Sequence, residues 1–242
     1  MVSVESVTFL ASCRADFDSS IFSGKLRYRP VPWDTKRLAG ARVLVLVHGY
    51  RNSFHEALRG YETIWTKVKE HKLPYDECVG FFWPGGALAA GFLQDVRNAE
   101  NSAGELLALL NFLYWQGATV DIQTHSLGAR VALQCVQYAV KVRNLILSAP
   151  AVDFDCLNAG AEFDRTTLNA QRIIVAHSKE DGVLGTAYRA SKFWFGKRAL
   201  GYTGPSLVGT ALSVNLDQYV NDHSGYRDCD EYYRQWHEIM VT

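Results

Sequence analysis

A serine stands at the apex of a sharp turn in residues 120–128, Val-Asp-Ile-Gln-Thr-His-Ser-Leu-Gly. The run before it alternates in polarity and reads as a strand. The run after it, Ala129 to Val136, is helical in pattern. Strand, tight turn and helix form the context of a nucleophile elbow. There a strained backbone lifts the Ser126 hydroxyl clear and turns the next amide toward the reacting oxygen. Small residues must flank the serine, because strand and helix pass close together. Gly128 meets this need, and Thr124 is compact though larger than glycine. Serine is also a good helix N-cap, so the motif gains chemical meaning only with partners.

A serine hydroxyl is a poor nucleophile at neutral pH and needs an adjacent base, which histidine supplies. The base needs a carboxylate to fix its tautomer and stabilise the imidazolium. In open α/β sheets such sites gather at the carboxyl ends of strands. The predicted strand 42–47 ends in His48-Gly49-Tyr50, and strand 172–176 is followed by Ser178-Lys179-Glu180-Asp181. The last predicted strand, Leu212 to Leu216, is followed by Asp222-His223-Ser224-Gly225. Ser126, Asp181 and His223 are thus candidate nucleophile, acid and base, in the chain order of the α/β-hydrolase triad. Asp153, after the strand 142–147, is the rival acid. The amides of Leu127 and Tyr50 are the expected oxyanion donors. Phe82, Trp83 and the segment 183–211 are expected to line an apolar acyl pocket. That segment reads equally as a small lid or as a helix and loop. His48 and His125 are expected to orient loops beside the site, and His177 to close a strand. His55, His71 and His237 read as surface residues.

These residues need a scaffold, and the hydrophobic pattern supplies one. Residues 42–47, Arg-Val-Leu-Val-Leu-Val, form the apolar run of a central strand buried on both faces. Val4 to Ala11, Gly24 to Arg29, Cys78 to Trp83, Val120 to Gln123, Val142 to Leu147 and Arg172 to Ala176 read as further strands. Phe54, Ala57, Leu58, Tyr61, Ile64, Trp65 and Val68 fall on one helical stripe. Ala99 to Trp115, Ala129 to Val140 and Tyr226 to Met240 read as helices, with Tyr232, Tyr233, Trp236 and Met240 on one side of the last. Strands alternating with helices predict a mostly parallel central sheet covered on both faces, a three-layer sandwich. Without repeats or linker-like composition, residues 1–242 read as a single domain.

Composition excludes several classes. The 242 residues are 48% hydrophobic, enough for a large core. Basic and acidic residues balance at 25 each, so no basic excess draws the chain to nucleic acid or an anionic membrane. The longest apolar stretch, Leu106 to Trp115, is too short to span a bilayer. The first residues lack a signal-peptide pattern, and the five cysteines are odd in number with no C-x-x-C pair. A reduced, cytoplasmic protein is expected. No ligand spacing for a metal, no P-loop and no dinucleotide fingerprint is present, so no cofactor is expected.

With these residues in view, the chain resembles the α/β-hydrolase superfamily, and within it the bacterial DUF900 group. The likeness is carried by Val45 to Phe54 with Ala57-Leu58, by Phe82-Trp83-Pro84-Gly85-Gly86 and by Asp95-Val96-Arg97-Asn98-Ala99. It continues in Thr124-His125-Ser126-Leu127-Gly128 and in His223-Ser224 with Tyr226. The resemblance implies an α/β-hydrolase fold and Ser126, Asp181 and His223 as the triad. Leu127 and Ala129 stand where the group usually has Met and Asn. Arg51 stands where it often has Asn, beside the oxyanion loop, a place that suits an anionic substrate and equally suits solvent. The expected activity is cleavage of a small carboxylic ester. The alternatives are a non-catalytic binding module, or a lyase or acyltransferase, on the same fold.

Overall fold

The computed structural model describes residues 6–7, 9–30, 32–86, 92–138, 141–188, 197–206 and 211–241. The strands are β1 (Phe9–Arg14), β2 (Phe22–Arg29), β3 (Arg42–Val47), β4 (Glu77–Phe82), β5 (Thr119–His125), β6 (Val142–Ser148), β7 (Ala170–His177) and β8 (Ala211–Asn215). They form one eight-stranded sheet in the order β2-β1-β4-β3-β5-β6-β7-β8. β2 runs antiparallel to β1, and all other pairings are parallel. The carboxyl ends of β3, β5, β7 and β8 therefore open on one edge of the sheet.

Strand β3 is apolar from Val43 to Val47 because both of its faces are covered. On β3, Val43, Val45 and Val47 join one buried cluster with Leu106, Leu109 and Val131. Leu44 and Leu46 join the other, with Tyr61, Ile64 and Trp236. Helices α2 (Phe92–Trp115) and α3 (Gly128–Val136) supply the first cluster. Helices α1 (Phe54–Glu70) and α4 (Asp230–Val241) supply the second. This is the three-layer arrangement that the alternating pattern predicts. Helix α1 starts where it does because Ser53 and Glu56 form a reciprocal capping box. Among the described residues, no helix is long and apolar enough to cross a membrane.

The N-terminal boundaries differ from the expectation, part of which (Val4, Glu5 and Thr8) lies outside the described residues. β1 does not stop at Ala11 but runs on through Arg14. Ser12, Cys13 and Arg14 look like a polar strand end, yet each is at most 1% exposed. Their polar atoms are met inside: Arg14 by carbonyls and His48, and the Cys13 thiol by Ser102 Oγ at 3.4 Å.

Asp121 on β5 is a fully buried carboxylate that ties three elements together. It accepts from Tyr75 Oη (2.8 Å), Arg143 Nη2 (2.6 Å), and Asn144 N (3.1 Å) and Nδ2 (2.8 Å). Asp121→Ala strands these donors. It is expected to lower the unfolding free energy by about 3–5 kcal/mol, the usual cost of removing one partner of a buried charge cluster. Denaturant unfolding checks this, and a loss below about 1 kcal/mol contradicts it.

Candidate active site

The turn after β5 carries the strain expected of an elbow. Ser126 is not glycine, yet its φ is +54°. Such a conformation costs about 1–3 kcal/mol and persists only where the surroundings fix it. Here Ser126 N donates to Ser148 O (3.0 Å), and Ser126 O accepts from Ala129 N (3.1 Å) and Ala151 N (3.2 Å). Two close approaches require glycine. A Cβ on Gly128 would lie 2.3 Å from His48 O, and one on Gly49 would lie 2.8 Å from His125 Nδ1. Strand β3's loop and the start of α3 therefore touch through backbone.

Three predicted residues meet at this turn. The Ser126 hydroxyl and His223 Nε2 are 2.7 Å apart. His223 Nδ1 and Asp181 Oδ2 are also 2.7 Å apart. A carboxylate can only accept, so Nδ1 carries the proton and Nε2 receives the serine hydroxyl's hydrogen bond. Asp181 is completely buried, and its other oxygen accepts from Leu184 N at 3.1 Å. The rival acid lies elsewhere: Asp153 Oδ1 accepts from Tyr188 Oη at 2.6 Å.

A cavity of about 670 Å³ opens over Ser126 and His223. Tyr50 and Leu127 line it, as do Arg51, Val183, Leu184, Tyr188 and Arg227. Among the described residues, the Leu127 amide has no acceptor in the protein. Of the segment 183–211, a short turn at Val183–Ala187 is described beside the cavity. Phe193, Trp194 and Phe195, the core of the lid expectation, lie outside the described residues.

Phe82 and Trp83 do not line the cavity, contrary to the expectation; both are fully buried. Strand β4 sits between β1 and β3, and its end is roofed by the loop after β3. Phe82 packs against Phe54 and Tyr61, with ring centroids 4.9 and 5.2 Å away. Trp83 stacks on His48 at 5.5 Å, and its Nε1 donates to His48 O at 2.8 Å. Together they form the floor under the loop that bears Tyr50.

That loop has a brace that the sequence reading missed. Arg14, 1% exposed, donates from Nε to Trp83 O (2.9 Å) and from Nη1 to Phe17 O (3.2 Å). Its Nη2 reaches Asn52 O (2.9 Å) and His48 Nε2 (3.1 Å). Asn52 Nδ2 in turn donates to Tyr50 O at 2.9 Å and Gly49 O at 3.2 Å. The one available signal was an arginine closing an apolar run next to a strand pair. His48 Nε2 also accepts from Trp83 N (3.2 Å), so its proton sits on Nδ1 and is donated to Gly49 O (2.8 Å).

Both loop histidines, His48 and His125, are held neutral. Burial first, then the Arg14 charge, keep the His48 imidazolium well below its ordinary range. Burial and then His223 push His125 down to about 3 from 6.5, while His125 Nε2 donates to His223 O at 2.7 Å. A folded value below the unfolded one means that unfolding takes up a proton in acid. This stability is present above pH 6.5 and is lost as pH falls toward about 3. The unfolding free energy read by urea should fall from about pH 7 to 5, by up to about 1.4 kcal/mol per pH unit for each such histidine. His125→Gln should flatten the slope, and an unchanged slope contradicts the assignment.

Comparison with known proteins places the family and the fold. A family model described as an alpha/beta hydrolase of unknown function (DUF900) matches residues 33–199. A search of curated proteins finds no match. Among solved structures, Aspergillus fumigatus lipase B superposes with a TM-score of 0.54 at 12% identity. The match covers 88% of this chain and 55% of the lipase, which is a likeness of fold. The esterase domain of a Rhodothermus marinus protein matches at 16% identity, covering 89% of this chain and 91% of that one, with a TM-score of 0.44. A Pyrobaculum calidifontis esterase matches at 13% identity, covering 88% and 78%, with a TM-score of 0.45. The family match spans well over half of the residues, and the sheet, elbow and helices have the architecture it names: the chain belongs to the DUF900 family of α/β hydrolases.

Proposed function

We propose that this chain is a serine hydrolase that cleaves carboxylic esters through an acyl-enzyme. The observation that carries the reading is the unbroken hydrogen-bonded line from Ser126 through His223 to buried Asp181, beside an open cavity. In the first step Ser126 Oγ attacks the ester carbonyl carbon while His223 Nε2 takes the hydroxyl proton. The tetrahedral oxyanion is held by the amides of Leu127 and Tyr50. Each donor of this kind typically contributes about 3–4 kcal/mol of barrier lowering. His223 then gives its proton to the departing alkoxide, and an alcohol leaves with the acyl group on Ser126. Water attacks the acyl carbon, and His223 takes the water's proton. The carboxylic acid leaves as His223 returns that proton to Ser126. Asp181 keeps His223 in the tautomer with the proton on Nδ1 and stabilises the imidazolium.

Hydrolysis of p-nitrophenyl butyrate tests the reading. Ser126→Ala is expected to lower kcat by at least about a thousandfold. Activity kept within about tenfold of wild type would remove Ser126 as nucleophile. The acid has its own comparison: Asp181→Asn should lower kcat by about 10³–10⁴-fold and leave the fold intact. Asp153→Asn, whose carboxylate serves Tyr188, should stay within about tenfold. The reverse pattern would move the acid role to Asp153.

A further inference from the structure

We infer that the ester cleaved at this site carries a carboxylate, bound by Arg51 and Arg227 in the cavity over Ser126. The inference rests on the serine-hydrolase reading and names its substrate class. Both arginines line that cavity. Among the described residues, neither is ion-paired to a carboxylate. The chain as a whole carries 25 basic and 25 acidic residues, so this local excess is not a general feature of its surface.

Each arginine sits at a locally unusual place. Arg51 has φ +55°, a left-handed backbone that Gly or Asn adopts more readily. The conformation is fixed by its amide, which donates to Gly85 O at 2.8 Å. Arg227, half-buried, lies against the middle of α1 at Gly60. A Cβ on Gly60 would stand 3.3 Å from Arg227 Nη1, so the guanidinium would have to give by a few tenths of an ångström. Glycine in a helix interior weakens the helix, and here it makes room for the guanidinium.

The negative charges nearby are already engaged. Glu56, the one carboxylate lining the cavity among the described residues, accepts from Ser53 N (2.9 Å) and Ser53 Oγ (2.7 Å). Those bonds, and then the charges of Arg59 and Arg51, hold its carboxyl below the ordinary value. It offsets one arginine and leaves the second. Asp181 is buried behind His223 and spends its charge there. A guanidinium offers a planar pair of donors that matches a carboxylate, and such charged bonds are stronger than neutral ones.

Two matched ester pairs test this, with each rate divided by the spontaneous hydrolysis rate. The first is p-nitrophenyl hydrogen adipate against its methyl ester, which places the charge on the acyl arm. Adipate is chosen over succinate because a shorter diacid attacks its own ester. The second is the butyrate ester of 4-hydroxybenzoate against that of methyl 4-hydroxybenzoate, which places the charge on the alcohol arm. In at least one pair, kcat/KM for the anionic ester should exceed that of its neutral twin by roughly tenfold or more. Arg51→Gln and Arg227→Gln should each reduce that ratio, and the double variant should bring it near unity. The ratio is taken on one enzyme sample, so a partly misfolded variant does not distort it. Half-molar salt should also lower it. Ratios near or below unity in both pairs, with Ser126-dependent turnover of the neutral esters, overturn the inference and leave the hydrolase reading standing. A ratio unchanged in both arginine variants overturns the assignment to these residues. No turnover of any ester, and no fluorophosphonate labelling of Ser126, overturns both readings.

Discussion

The site depends on one backbone constraint, the left-handed turn at Ser126 between a buried strand and a buried helix. A serine with φ +54° is stable there only because its amide and carbonyl are both claimed, by Ser148, Ala129 and Ala151. The elbow reaches those partners because β5 lies beside β6 in parallel register, with His125 opposite Ser148. The same turn forces the start of α3 against the loop after β3, where Gly128 meets His48 O. Sheet order, helix placement and the conformation of Ser126 are thus a single packing solution.

Around that turn the polar groups are arranged in a graded way. Arg14 enters from β1 as a buried cation whose described side-chain partners are carbonyl oxygens and the neutral His48 ring. A buried guanidinium is tolerated when its donors are met, and here they fix the loop carrying Tyr50. His48 and His125 stay neutral, so no further positive charge builds up behind the loop. Asp181 is completely buried while the side chain of His223 is 17% exposed. The carboxylate is shielded from water, and the imidazole opens toward the cavity.

Much of this was legible in the sequence for identifiable reasons. Arg42–Val47 reads as a central strand because both its faces are buried, and after Arg42 the run is apolar without a break. The elbow was legible because strand, serine and helix follow within a few residues. His223 and Asp181 followed from the rule that sites gather at strand ends. Other features leave no such mark. Phe82 and Trp83 close a strand near the site, and an apolar strand end looks alike whether it faces a cavity or a floor. Arg14 reads as the polar end of a strand because burial of a charge is decided by distant carbonyls. The placement of β1 between β2 and β4 depends on long-range pairing that periodicity does not encode. Arg227 lines the cavity from the same stretch as His223, and periodicity does not mark which residues after the last strand face it.

The central claim is that the polypeptide activates one particular hydroxyl. Treating the intact protein with a fluorophosphonate and mapping the adduct by peptide mass spectrometry reads this directly. The account predicts a single stoichiometric adduct on the peptide containing Ser126, formed far faster than at any other serine or at the five free cysteines. An unmodified Ser126 in folded protein, or an adduct at another residue with Ser126 untouched, would contradict it.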